Sequence, residues 1–223
     1  SGLRRFVRAF ARGVDTEAAL KSELNTSFDV MQAGFDRYLE QTFAGLQDAL
    51  KPIEEGVDLP KLPLEGVRNY AEAHPGSYYA HIILGTKLRQ AGNPDEALAA
   101  FERAARLAPV ASGPDSPHVQ MAQIAIERKD RRRAIVELQA LLQVDFTNIV
   151  AARQLAGLLK EDGVTDPAVL RPVHERIAAI DPFDAEAHRV LGRFALQRNE
   201  AAFASREFRT VLALGPVDQA AAH

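Results

Sequence analysis

The stretch "AGNPDEALAAFERAARLAP", residues 91–109, is crowded with alanine and holds no polar group placed to do chemistry. Gly92-Asn93 breaks the chain with a residue tolerant of left-handed geometry, and Asp95-Glu96 then puts negative charge at a helix start, where the peptide dipoles favour it. Ala97, Phe101 and Ala104 recur at helical spacing on one face. Two antiparallel helices approach within about 8–10 Å only where the side chains at the contact are short. The alanines therefore read as spacers, and Phe101 as the bulky group that fills the gap between one helical unit and the next. Leu138 and Phe208 are expected to do the same in their own units.

Working outward, the stretch proves to be one copy of several. Pro109 corresponds to Pro75 before it and to Phe146, Pro182 and Pro216 after it, at spacings of 34, 37, 36 and 34. A second marker agrees: Leu84-Gly85, Met121-Ala122, Leu155-Ala156 and Leu191-Gly192 are pairs with a small residue, spaced 37, 34 and 36. Self-similarity at such a period is the mark of a stacked helical array. Each unit reads as helix, tight turn, helix.

These residues resemble a tetratricopeptide repeat, whose pattern is a Leu-Gly pair, a later Gly-Asn/Asp turn, then Ala, Phe and Ala closing on Pro. The match is strong over 78–109 and good over 183–216, where Leu191, Gly192, Ala204, Phe208 and Pro216 are kept. The two middle units depart from it. One has Lys129 for the turn glycine and Phe146 for the closing proline; the other carries extra residues around "GVTDPAVL" and Pro172 inside its second helix. The resemblance implies an all-α fold, a right-handed α-solenoid of helix-turn-helix repeats preceded by a small helical segment. The expected organisation is a helical segment at 1–50, a linker at 51–63 and a repeat domain at 64–223. That domain divides into a half repeat at 64–77, repeats at 78–111, 115–147, 149–182 and 183–216, and the start of a further helix at 217–223.

The rest of the chain agrees with a helical reading. Leu3, Phe6, Val7 and Phe10 form one stripe ended by Gly13, and Asp15 and Thr16 offer a cap for a short helix through Leu24. Thr26, three residues before Asp29, reads as a capping-box start. Phe28, Met31, Phe35, Leu39, Phe43, Leu46 and Leu50 then keep one face for about six turns. "KPIEEGVDLPKLP", with three prolines and a glycine, is expected to hold no regular structure. Of 223 residues 47% are hydrophobic, enough to bury a substantial core. Lys plus Arg total 27 against 30 Asp plus Glu, so no global charge draws the chain to nucleic acid or anionic membrane. There is no cysteine, hence no disulfide framework or thiolate site and no clue to redox compartment. No apolar run approaches the roughly 18 residues of a membrane span, and the chain is expected to be soluble. Ser1-Gly2 reads as a cloning remnant and "GPVDQAAAH" as a helix just begun, so an excised piece of a longer protein is expected.

Candidate chemistry is sparse. "HERIA" at 174–178 begins like a metalloprotease His-Glu-x-x-His, but Ala178 stands where the second ligand must project, so no metal site is expected there. His81, His118 and His188 each lie three residues before a Leu-Gly-type pair; equivalent slots in a solenoid are about one repeat apart, too far to share one ion, and read as packing histidines. "ERKDRRR", residues 127–133, is basic but lacks interleaved aromatics and reads as a solvated turn rather than a nucleic-acid site. No nucleophile elbow, phosphate loop or acid pair is present, so no catalytic residue, cofactor or hydrolase activity is expected.

By the resemblance, the first helix of each repeat lines a concave groove. The residues it points there are Ile82, Thr86 and Arg89; Val119, Gln123 and Ile126; Arg153, Gly157 and Lys160; and Arg189, Arg193 and Leu196. An apolar first half and a cationic second half suit an extended protein or peptide segment with hydrophobic side chains at one end and carboxylates at the other. The asparagines and paired lysines of the carboxylate-clamp subfamily are absent from these positions. A second resemblance covers residues 6 to about 50: "FARGVDTEAALKSELNTSFDVMQAGFDRYLEQTF" is similar to the helical tail that follows the catalytic core of gluzincin-type, peptidase MA-like metallopeptidases. It implies, as the alternative to a binding scaffold, a structural tail whose catalytic domain lies upstream.

Overall fold

The structure is a computed structural model that describes residues 2–215, and it divides after Pro52 into two units. Pro216 and the further helix expected at 217–223 lie outside the described residues. Every regular element among the described residues is helical.

The first unit holds α1 (Gly2–Ala11), α2 (Thr16–Leu24) and α3 (Phe28–Ala49). Gly13, at φ +76°, turns the chain after α1, and Asp15 caps α2 by accepting from the Ala18 N–H. Ala9, Ala19 and Leu20 are buried where α1 meets α2. The cap of α3 is Ser27, which accepts from the Val30 N–H at 3.3 Å; the Thr26 start expected from the sequence is one residue early, because it is Ser27 that has the extended backbone (φ −116°) a cap needs. Phe28, Met31, Phe35 and Phe43 of its apolar face are exposed.

The second unit begins inside the stretch expected to be a linker. Leu59–Lys61 form one 3-10 turn, and Ile53, Val57, Leu59 and Leu62 pack into the first hydrophobic core. Three prolines forbid a continuous helix but not burial, and Leu59 is fully buried. After α4 (Leu64–Ala73) come four hairpins: α5 (Tyr78–Gln90) with α6 (Pro94–Leu107), α7 (Pro117–Glu127) with α8 (Arg131–Val144), α9 (Ile149–Glu161) with α10 (Pro167–Ile180), and α11 (Ala185–Gln197) with α12 (Ala201–Leu214). Each helix packs chiefly on its neighbours in the chain, giving an α-solenoid.

The four hairpin turns share one device. Gly92, Lys129, Gly163 and Asn199 all have positive φ, at 79°, 59°, 72° and 60°. In each turn the following N–H reaches back five residues, as Asn93 to the Leu88 carbonyl and Asp130 to that of Ala125. This Schellman closure satisfies the carbonyls left over at the end of the first helix. Lys129 therefore adopts the left-handed geometry although its unit lacks the glycine.

Ala97, Phe101 and Ala104 are fully buried, as spacer and filler should be. The ring of Phe101 lies on Gly85 of its own hairpin: a Cβ added at Gly85 would stand 2.7–2.8 Å from ring carbons. Phe208 repeats the arrangement, with a Gly192 Cβ falling 2.9 Å from its ring. The small residue of the Leu-Gly pair is thus there to admit the ring. Pro172 is accommodated within a continuous α10, but that helix buries only His174 and Ile177, whereas α6 buries Ala97, Ala100, Phe101 and Ala104.

Candidate functional site

Stacking the hairpins sets α5, α7, α9 and α11 side by side, and the residues expected to line a groove fall along the channels between them. At the first junction the channel is crossed by Arg89. Its guanidinium donates to Gln120 (2.9 Å) and Gln123 (2.7 Å) and pairs with Glu127 (2.6 Å), all from α7. Ile82 packs against the first core, and the Thr86 hydroxyl turns back to the Ile82 carbonyl at 2.9 Å. Here the expected groove residues act on the scaffold itself.

The next two junctions are open. Between α7 and α9 lies a cavity of about 520 Å³ with Val119, Ala122, Gln123, Ile149 and Gln154 on its walls. Between α9 and α11 lies a second, of about 510 Å³, with Gly157 and Lys160 from α9, Arg193 from α11 and His174 from α10 among its lining. Gly157 has no heavy atom within contact range of a would-be Cβ, so the α9 wall is open there. Ile126 and Leu196 are exposed beyond these cavities.

The cations expected in the second half of the groove are not equivalent. Arg153 holds Asp181 at 2.6 Å and Asp184 at 2.9 Å, and Arg189 is paired with Glu186 one turn earlier on α11. Lys160 and Arg193 are exposed and have no ion-pair partner among the described residues. Of these expected groove cations, the charge left without an ion pair is on those two, both on the second cavity.

His174 matters for a reason unrelated to the His-Glu-x-x-His likeness. It lies eight residues before Pro182, as Phe101 lies eight before Pro109, Leu138 eight before Phe146 and Phe208 eight before Pro216. The third hairpin thus carries an imidazole where the others carry a large apolar group, and His174 lines one cavity together with Ala156, the small residue of its Leu-Ala pair. His174 is 8% exposed, neither ring nitrogen has a hydrogen-bond partner among the described residues, and Nδ1 is sealed from solvent. Burial holds its imidazole below the ordinary histidine value of 6.5, with Glu186 and Asp184 opposing. Counting back from the closing residue of each unit was the signal that finds it.

The other described histidines have structural partners. His118 Nδ1 bonds Glu137 at 2.7 Å and His188 Nδ1 bonds Glu207 at 2.6 Å, each glutamate being buried on the second helix of the same hairpin. His81 and His188 also place Nε2 at 3.1 and 3.0 Å from the carbonyls of Pro75 and Pro182. The basic run is more than a solvated turn: Arg128 pairs with Asp95 at 2.6 Å, Arg133 with Glu102 at 2.8 Å, and Arg131 with Glu161 at 3.4 Å, tying the second hairpin to its neighbours on both sides. Among the described residues no three His, Asp or Glu side chains converge to hold a metal, and no helix is long and apolar enough to cross a membrane.

Residues 78–109 match the family model for the tetratricopeptide repeat. No curated protein matches the chain. Among solved structures, the chain is similar to MamA (16% identity, 72% of this chain and 90% of that one covered, TM-score 0.44) and to MamA 41-end from Desulfovibrio magneticus RS-1 (17%, 82% and 94%, TM-score 0.43). It is also similar to YrrB, described as a TPR protein with an unusual peptide-binding site (15%, 98% and 96%, TM-score 0.44). These matches lend no support to the metallopeptidase resemblance of residues 6–50. The first hairpin is thus a tetratricopeptide repeat; its left-handed turn recurs in the three hairpins stacked after it, and its Leu-Gly and ring-on-glycine pairs recur in the fourth.

Proposed function

We propose that the protein is a non-catalytic scaffold that binds a protein or peptide partner as an extended segment along the first-helix side of the second and third hairpin junctions. The supporting observation is the pair of adjoining cavities, each near 500 Å³, in register along one face of the solenoid. One has mainly aliphatic and amide walls and the other carries two unpaired cations. That sequence of surfaces suits a chain with hydrophobic side chains followed by an acidic one. Cavities spaced by one repeat suit side chains of an extended peptide whose backbone stays at the surface.

The test is binding to a peptide array before and after Val119→Arg, which projects a long charged side chain into the first cavity. Because Val119 is only partly buried, the fold should survive, as circular dichroism would show. At least tenfold weaker binding of the selected peptides is expected. Unchanged binding would place the partner elsewhere and end this reading.

A further inference from the structure

We infer that the cavity between α9 and α11 recognises an acidic side chain, glutamate or aspartate, set beside an aliphatic residue in the partner segment, with His174 at its base as the hydrogen-bonding group. This rests on the groove reading above and makes it specific.

Three independent features converge there. The first is the unused imidazole. A histidine ring always offers at least one N–H, and a buried ring without a partner is a poor choice for a packing position when the other hairpins show Phe101, Leu138 and Phe208 in the same register. A ligand atom that accepts from Nε2, the ring nitrogen not sealed from solvent, supplies the hydrogen bond that the fold leaves out. The second is charge. The two carboxylates on the lining, Asp184 and Glu186, are held by Arg153 and Arg189, so Lys160 and Arg193 leave the cavity net positive toward a ligand. The third is the wall. Val164, Leu170, Ile177 and Val190 make it apolar between those polar points, and a carboxylate pairs more strongly with cations where water is displaced by such a wall. The aliphatic neighbour covers the wall while the carboxylate reaches the ring and the cations. A side-chain carboxylate is favoured over a chain terminus on the groove reading, in which the segment runs on to the α7–α9 cavity.

The experiment is a positional-scanning library of acetylated, amidated heptapeptides bound to the protein. Selected sequences are remade as fluorescein-labelled peptides with the acidic residue kept or changed to Gln, and titrated by fluorescence anisotropy against the protein and its His174→Leu and Lys160→Ala/Arg193→Ala variants. Leucine copies the Ala122/Leu138 pair of the second hairpin, so His174→Leu should melt no lower than the parent protein. The library should select Glu or Asp next to an aliphatic residue, Glu→Gln in the peptide should weaken binding at least tenfold, and His174→Leu should weaken the acidic peptides at least fivefold while leaving the Gln peptides unchanged. Selection of peptides with no acidic preference, or full binding by His174→Leu, overturns this inference and leaves the groove reading standing. No binding by any peptide overturns both.

Discussion

In the first hairpin a phenylalanine ring lies on a glycine, and in the third a histidine occupies the same register and lines a cavity with an alanine. Around the first pair everything closes: α6 buries four side chains, and Met121 and Ile124 of the next hairpin complete the core. Around the second, α10 buries two, the turn Gly163–Thr165 forms part of a cavity wall, and about 510 Å³ stays open. A repeat array needs each interface for its stability, yet each interface also presents a face to ligands. The contrast shows how the two demands are divided: the first hairpin keeps the family pattern and anchors, and the third departs from it and opens.

The largest effect expected of this division is in truncation. Phe101→Ala should destabilise the protein by about 3–5 kcal/mol, the cost of emptying a fully buried aromatic site. His174→Ala should cost about 1 kcal/mol or less, since the ring makes no hydrogen bond and borders a cavity already. Urea denaturation followed by far-ultraviolet circular dichroism measures both. Comparable losses would mean that the third hairpin carries as much of the fold as the first.

Next is the glycine. Gly85→Ala places a methyl 2.7–2.8 Å from the Phe101 ring, and overpacking of that kind costs about 1–3 kcal/mol, partly offset by the better helix propensity of alanine. Adding Phe101→Leu to it recreates the Ala122/Leu138 pair of the second hairpin. The double variant should lose at least about 0.5 kcal/mol less than the two single losses added together, the signature of residues in contact. Additive losses in the same denaturation experiment would mean that ring and glycine do not share one site.

The fold was legible because its signal is repeated: the spacing of prolines and of Leu-Gly pairs depends on sequence alone, and helix lengths and turns follow from it. Lys129 shows why even a degenerate unit keeps the plan, since the closure at Asp130 is made by backbone groups and asks only that the residue tolerate a left-handed φ. Helix periodicity picked out the residues on one side of the first helices but not their charge pairing. Arg89, Arg153 and Arg189 point where first-helix periodicity puts them, but each is consumed by a partner: Gln120, Gln123 and Glu127 for the first, Asp181 and Asp184 for the second, Glu186 for the third. All but Glu186 lie some thirty residues away in the chain, so only the stacking brings them together. The unusual register of His174 was present in the eight-residue count to the closing proline, but its cavity neighbours Lys160 and Arg193 come from helices on either side.

A smaller effect separates the third hairpin from the first by pH. Because burial holds folded His174 below 6.5, the unfolded chain takes up the proton more readily than the folded one. The stability that goes with the neutral ring is present above about pH 6.5 and is lost as pH falls through that value toward the lowered one. His174→Leu removes both the unpartnered ring and its titration. It should stabilise by about 1–2 kcal/mol at pH 7.5, with a melting temperature higher by about 2–4 °C per kcal/mol. The difference from the parent protein should widen at pH 5.5. His81, lowered by burial in the same direction, is present in both proteins and drops out of the comparison. A difference that narrows on acidification would require His174 to gain a proton more easily folded than unfolded.

The smallest effect tests whether the turns, unlike the centres, are equivalent. Gly92 and Gly163 close the first and third hairpins at positive φ without cost, while Lys129 closes the second at φ 59° with a Cβ in the way. A left-handed residue other than glycine costs roughly 1 kcal/mol. Lys129→Gly should return about that much, less a few tenths for the freer unfolded chain, and Asn199→Gly less again, because asparagine bonds locally in this geometry. Neither lies on a groove wall, so peptide binding should not change. If Lys129→Gly gives no gain while Gly163→Ala is tolerated freely, positive φ is not what these turns select for. The turns would then be fixed by the packing of the hairpins on either side rather than by the residue at their left-handed position, and the difference between the third hairpin and the first would lie in its centre alone.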